Sequence, residues 1–184
     1  MEARTIALSW TARLVATTGE EARVAIPFQG LALVVHQLAP TGELLQHLEI
    51  GVGLPLHATA LGKCILAYGG PFADWPELYA STQRTITEPR ALRRELSKVL
   101  SQSWAVEREE FEIGVASVAA PVFSDGGTVA GAVGLTGPLQ RLLTPRSEPR
   151  PGLAMQVCAV ARAMSRDLGA TRWPITPDGD ARPP

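Results

Sequence analysis

The sequence predicts an α+β domain, with one central antiparallel sheet carrying helices on its faces. Three observations lead there. Two turn signatures, Gln29-Gly30 and Ser124-Asp125-Gly126-Gly127, each lie between strand-forming apolar runs. Helix-period apolar stripes alternate with those runs. The 184 residues, 46% hydrophobic and 19% charged, are enough for one buried core.

The elements follow in order. Ile6, Trp10, Leu14 and Val15 mark an amphipathic helix over Ile6–Thr18, stopped by Gly19. Ala22–Phe28 and Leu31–Ala39 form a hairpin; Thr41-Gly42 turns the chain, and Leu44–Ile50 reads as a third strand. Leu56–Tyr68 is helix-favouring and ends at Gly69-Gly70. Gly62 inside it costs about 1 kcal/mol against Ala, so a close approach by another backbone or by a ligand is its expected use. Pro71–Ser81 reads as irregular. Thr87 is the expected N-cap of a helix with the stripe Leu92, Leu96, Val99, Leu100, running to about Ser103. Trp104–Val106 is a short strand candidate, and Gly114–Phe123 with Thr128–Thr136 make the second hairpin, ended by Pro138. Leu153, Val157, Val160, Met164 and Leu168 stripe the last helix, stopped by Gly169. The division expected is a linker or dimerisation helix over 1–19, the main domain over 20–169, and a flexible proline-rich tail over 170–184.

Composition narrows the function. A net charge of −1 makes the chain a poor binder of nucleic acid by itself. No apolar run approaches the roughly 18 residues of a membrane span, and the N-terminus lacks a signal-peptide pattern. Cys64 and Cys158 are far apart and in helical patterns, which points to reduced thiols and a cytoplasmic setting.

One run is more specific. Leu54-Pro-Leu-His-Ala-Thr-Ala-Leu-Gly-Lys-Cys-Ile-Leu-Ala67 resembles the signature of the effector-binding, C-terminal domain of the IclR family of bacterial transcription regulators. Thr85–Leu92, Ala105–Phe123 and Gly131–Pro138 with Arg141-Leu142 agree with that family in order and spacing. The resemblance implies a GAF-like fold, a curved antiparallel sheet with helices on both faces. It also implies a dimer or tetramer, and operator DNA contacted only through an N-terminal winged helix-turn-helix that this chain is too short to hold as well.

By the same resemblance, the ligand-binding residues are Leu54, Ala60 and Leu61 near the helix start, Glu107, Val115 and Ser117 on the middle stretch, and Gly134 and Thr136 on the last strand. A helix N-terminus suits a carboxylate, because its amides are unpaired and carry partial positive charge. Ser117 and Thr136 add hydroxyls. Many family members have Asp at the position of Glu107 and Ser at that of Gly134; the glycine is expected to remove a donor and leave room. With Leu54, Leu61 and Val115, this points to an apolar or aromatic carboxylate as effector.

Plainer readings stand beside these. His57 at a helix start more often satisfies local backbone groups than it binds ligand. Lys63 is read either as an anion-attracting residue or as a solvated or interface lysine. Cys64 lies on an apolar stripe with no base nearby and reads as a buried, inert thiol. Glu107, Glu109, Glu110 and Glu112 read as a solvated acidic strand or loop rather than a metal site, and Gly126-Gly127 is a turn rather than a phosphate loop. No cofactor, metal site or catalytic residue is expected. The function expected is effector sensing that modulates DNA binding by the attached reader. The alternatives are a stand-alone metabolite-binding module acting on a protein partner, and a thiol-dependent enzyme on a GAF-like fold.

Overall fold

The computed structural model describes residues 3–40, 48–69 and 77–173. The expected strand over Leu44–Ile50 and the loop around Trp75-Pro76 fall largely outside them; Leu48–Ile50 are not in a strand.

Six strands form one antiparallel sheet in the order β3-β2-β1-β6-β5-β4. Helix α1 (Ala3–Thr18) precedes the hairpin β1 (Glu21–Phe28) and β2 (Leu31–Leu38), and β3 is Gly53–Pro55. Helices α2 (Ala60–Tyr68) and α3 (Pro89–Gln102) follow, then β4 (Ala105–Arg108), β5 (Val115–Phe123) and β6 (Val129–Pro138). A short helix α4 (Leu139–Leu142) and the long α5 (Leu153–Asp167) complete the described fold. Each hairpin set is antiparallel, and the two sets join where β1 pairs β6.

Alternation along the strands sends residues to two cores. Val24, Val118, Ala120 and Leu135 face α1 and α5, where they pack with Ile6, Leu14, Val157 and Met164. Ala25, Val34, Ala119 and Ala132 face α2 and α3, packing with Leu61, Cys64, Leu92 and Leu96. This is the curved α+β arrangement the sequence predicts, and the first helix shares the core of the rest. No described helix is long and apolar enough to cross a membrane.

The helix expected from Leu56 begins instead at Ala60. Thr59 is extended (φ −124°, ψ 150°), its hydroxyl accepts the Gly62 amide at 3.1 Å, and it donates to Pro55 O at 2.9 Å. A threonine that satisfies a helix start in this way is an N-cap, so Leu56–Ala58 remain a turn. The third helix likewise takes Glu88, not Thr87, as its cap, because Pro89 occupies the first helical position. At Gly62, a Cβ would lie 2.5 Å from Leu56 Cα and 2.6 Å from Leu56 O. The glycine therefore serves a close approach of backbone, which folds the turn back onto the helix. The tail's first residues are packed: Trp173 Nε1 donates to Pro121 O at 3.2 Å, and the Arg162 guanidinium lies over its ring.

Candidate ligand-binding site

A cavity of about 310 Å³ opens between the start of α2 and the α2-facing side of the sheet. That is within the range of small-molecule pockets. Leu54, Leu61, Glu107, Val115, Ser117, Gly134 and Thr136 all line it; Ala60 does not, being wholly buried in the core under α2. The register explains the convergence. Ser117 pairs with Glu107 on β4 and with Thr136 on β6, so the three stand in one row across three strands. A second cavity, about 420 Å³, lies on the opposite face among Ile6, Val24, Ile26, Val122 and Met164. Its walls are apolar and bring few polar groups together.

Glu107 is the chemical centre of the first cavity. One carboxylate oxygen accepts Ser117 Oγ at 2.9 Å; the other accepts the amides of Glu110 at 3.0 Å and Phe111 at 3.4 Å. Burial pushes its carboxyl up to about 7, against the pull of the Ser117 hydroxyl and the two amides; the negative charge of Glu110 adds to the rise. A carboxylate has roughly four acceptor positions, and three are used. One position is left for a donor in the cavity.

The far wall is more acidic than the sequence suggested. Glu20, Glu21, Glu49 and Glu112 line the same cavity as Glu107, against the two arginines Arg23 and Arg141. Both arginines are engaged within this wall. Arg141 Nε donates to Glu20 at 3.0 Å, Arg23 Nε donates to Glu21 at 2.6 Å, and Arg23 also pairs with Glu49. Gln37 Nε2 donates to Glu21 at 2.9 Å and its oxygen accepts the Glu49 amide at 2.8 Å. These residues come from β1 and the residue before it, from β2 and the segment that follows it, from the stretch between β4 and β5, and from α4. The alternating pattern of β1 places Glu21 and Arg23 together, but only the pairing of β1 with β6 brings them to Thr136 and Gly134.

The α2 start contributes the opposite polarity. Gly62 N reaches Thr59 Oγ1 and Lys63 N reaches Thr59 O at 2.9 Å. The amides of Ala60 and Leu61 precede any intrahelical acceptor, which leaves a small electropositive end beside Leu54 and Leu61.

Several sequence readings need correction. Gly134 does not make room: a Cβ there would lie 2.7 Å from Val118 O and 2.8 Å from Ala119 Cβ. The glycine lets β5 and β6 approach closely. The acidic stretch is not solvated as a whole, since Glu107 and Glu110 are buried. Lys63 is neither solvated nor at a surface. It is completely buried, with Nζ 2.8 Å from Glu110 Oε1. The plainer readings of His57 and Cys64 agree with the structure: His57 is buried away from the cavity, its Nε2 2.9 Å from Tyr79 O and its ring edge-on to Tyr79. Cys64 Sγ donates to Ala119 O at 3.3 Å; burial raises its thiol far above the ordinary value, which leaves no reactive thiolate.

The family model described as bacterial transcriptional regulator IclR, C-terminal, matches residues 1–166. The glycerol operon regulatory protein of Streptomyces coelicolor is 40% identical over 176 residues, spanning 94% of this chain and 68% of that protein. The crystal structure of IclR from Thermotoga maritima superposes with a TM-score of 0.82 at 28% identity, covering 92% of this chain and 70% of the other. An IclR homologue from Microbacterium hydrocarbonoxydans, solved as a complex with 4-hydroxybenzoate, shares the fold with a TM-score of 0.74 at 23% identity, covering 92% of this chain and 69% of the other.

Proposed function

Because this chain belongs to the IclR family of bacterial transcriptional regulators, as its C-terminal, effector-binding domain, we propose that it senses a small, neutral polyol in the cavity between α2 and the sheet. The observation that carries this is the charge around the cavity. Five glutamates face it against two arginines that are already paired within the wall. An added carboxylate would meet that excess at close range in a poorly solvated site. A polyol brings hydroxyls, which donate to Glu107 and to the free lone pairs of Ser117 and Thr136 and accept from the α2 amides, without bringing charge. The 40%-identical relative is named for a glycerol operon, which agrees with a hydroxylated ligand.

A second reading keeps the aromatic carboxylate expected from the sequence. The electropositive start of α2 favours it, and Leu54, Leu61, Phe111 and Val115 offer apolar wall for a ring. Titration calorimetry separates the two. Glycerol, a longer polyol and 4-hydroxybenzoate are each titrated into the protein at pH 8. Saturable heat with a polyol, lost in Glu107→Gln, is the expected result. Saturable heat with the aromatic acid alone replaces the polyol with the carboxylate.

Binding would act on transcription by coupling. A ligand that prefers one packing of the domain shifts the population toward it, by no more than its difference in affinity for the two packings. The DNA reader and the oligomer through which this acts belong to the proposal.

A further inference from the structure

Just behind the cavity wall lies a buried ion pair that touches no ligand space. Lys63 is the largest completely enclosed side chain among the described residues. Its Nζ donates to Val106 O at 3.0 Å and to Glu110 Oε1 at 2.8 Å, with Oε2 at 2.7 Å and Glu95 Oε1 at 3.5 Å. Taking two charges out of water is costly, and such a pair persists only when its remaining hydrogen bonds are also made. Neither residue lines the cavity.

The pair reaches the cavity through the backbone. Glu110 Oε1 also accepts the Arg108 amide at 3.3 Å, while the amide of Glu110 itself is the 3.0 Å donor to Glu107. The tight turn over 107–111 thus carries two carboxylates facing opposite ways, one into the α2 core and one into the cavity. From outside, Thr82 Oγ1 donates to Glu109 O and Thr85 Oγ1 to Glu110 O, each at 2.6 Å. Beyond the end of β4 at Arg108, residues 109–111 have no regular secondary structure; side chains from α2 and from the segment before α3 hold them.

We propose that the buried Lys63–Glu110 pair is the positioning device for Glu107: it fixes the turn whose amides hold the Glu107 carboxylate at the cavity, and thereby sets that carboxylate's protonation state and its capacity to accept a donor from the ligand. The functional half of this rests on reading the cavity as the ligand site. The geometric half does not, so its test uses no ligand.

The charged groups around Glu107 are Glu110 and Arg108 beside it, Lys63 on α2, Glu95 on α3, Glu112 before β5, and Glu20, Glu21, Arg23, Glu49 and Arg141 across the cavity. Amides that hydrogen-bond a carboxylate favour its ionised form, so their loss raises its titration midpoint. Removing the negative charge of Glu110 lowers it.

The test follows the Glu107 carboxyl by carbon NMR in glutamate-labelled, ligand-free protein, assigned by the signal missing from Glu107→Gln. In Lys63→Met, Glu110 loses its partner, the turn opens, and the Glu107 midpoint rises by about one pH unit or more, a tenfold change in its ionisation equilibrium. The double variant Lys63→Met/Glu110→Met leaves no buried charge unpaired and keeps the backbone amide of residue 110. It lacks the pair as well, so its turn loosens too and its midpoint stays above wild type, by less than that of Lys63→Met because the negative charge of Glu110 is gone. A folded Lys63→Met with an unmoved or lowered midpoint overturns the proposal, whatever its melting temperature, because Glu110 has then merely taken up a proton and the turn has held without the pair. If Lys63→Met does not fold, the double variant decides: a midpoint at or below wild type overturns the proposal, and one raised above wild type supports it. Failure of every polyol to bind would leave these titrations unchanged and would count against the ligand reading only.

Discussion

The Glu107 carboxyl makes a prediction whose sign and size both follow from its surroundings. In the unfolded chain it titrates near 4.5; in the folded domain burial lifts it to about 7. Between those two values the folded state holds a proton that the unfolded state has lost. Stability changes with pH in proportion to the protons bound by the unfolded state less those bound by the native state, so this group lowers stability as pH rises. Its contribution is fully present below about pH 4.5 and is lost as pH climbs through about 7. At roughly 1.4 kcal/mol for each pH unit, the loss is about 3 kcal/mol. That is a large share of the roughly 5–15 kcal/mol that holds a domain together. Glu107→Gln is neutral at every pH and escapes the loss. Urea unfolding of the two proteins without ligand, at pH 4 and at pH 8.5, measures it. Any constant cost of the altered hydrogen bonds to Ser117 and the turn cancels between the two pH values. The expected result is that the stability of the variant relative to wild type improves by about 3 kcal/mol from the lower pH to the higher. A gap that stays constant within about 0.5 kcal/mol, below one pH unit's worth of linkage, would show that folding leaves the Glu107 midpoint where the unfolded chain has it, and the reasoning from burial would be refuted.

Three further outcomes can be checked with less effort. Thr59→Ala removes the cap of α2 and is expected to cost about 1 kcal/mol in urea unfolding, with Thr59→Ser close to wild type; equal stability of the alanine variant would deny the cap its role. Gly134→Ser forces its Cβ against Val118 O and Ala119, and a cost of about 1–3 kcal/mol is expected from the overpacking; an unchanged urea midpoint would mean that β5 and β6 part freely. Cys64 is buried with its thiol held protonated, so Ellman's reagent should reach it only on unfolding; prompt labelling of Cys64 in the native protein would contradict the packing of α2.

The order of strands and helices was legible because it rests on local signals. The hairpin turn Gln29-Gly30 and the apolar stripe of α5 declare themselves within a few residues, and the structure has β1 and β2 meeting at that turn. Helix starts were less legible: the apolar run carried one helix back to Leu56, past the cap at Thr59, and Thr87 was read as the cap of the next. Only the fold decides that one caps a helix and that Pro89 hands the other cap to Glu88. In the site, the row of Glu107, Ser117 and Thr136 was carried by the family resemblance together with strand alternation. The acidic wall of Glu20, Glu21 and Glu49 was not found, because it depends on which strand lies beside β6, a long-range pairing with no local signature. Lys63 and Glu110 were misjudged for a related reason. Each looks like a surface residue alone, and each is buried because the other, 47 positions away in sequence, neutralises it.

Along β5 and β6, the cavity and the opposite core are interleaved residue by residue. Ser117 and Thr136 belong to the ligand side, while Val118 and Leu135, their immediate neighbours in sequence and each other's partners across the strands, belong to the helix side. The consequence is evolutionary as much as mechanical. Ser117 and Thr136, on the cavity side, are open to substitutions that would retune the proposed site while the packing under α1 and α5 goes untouched. A single inserted or deleted residue in either strand, by contrast, would exchange the two sets. Drift in such a domain is therefore free to alter the cavity wall through point substitutions, and is closed to changes of length along the strands that form it.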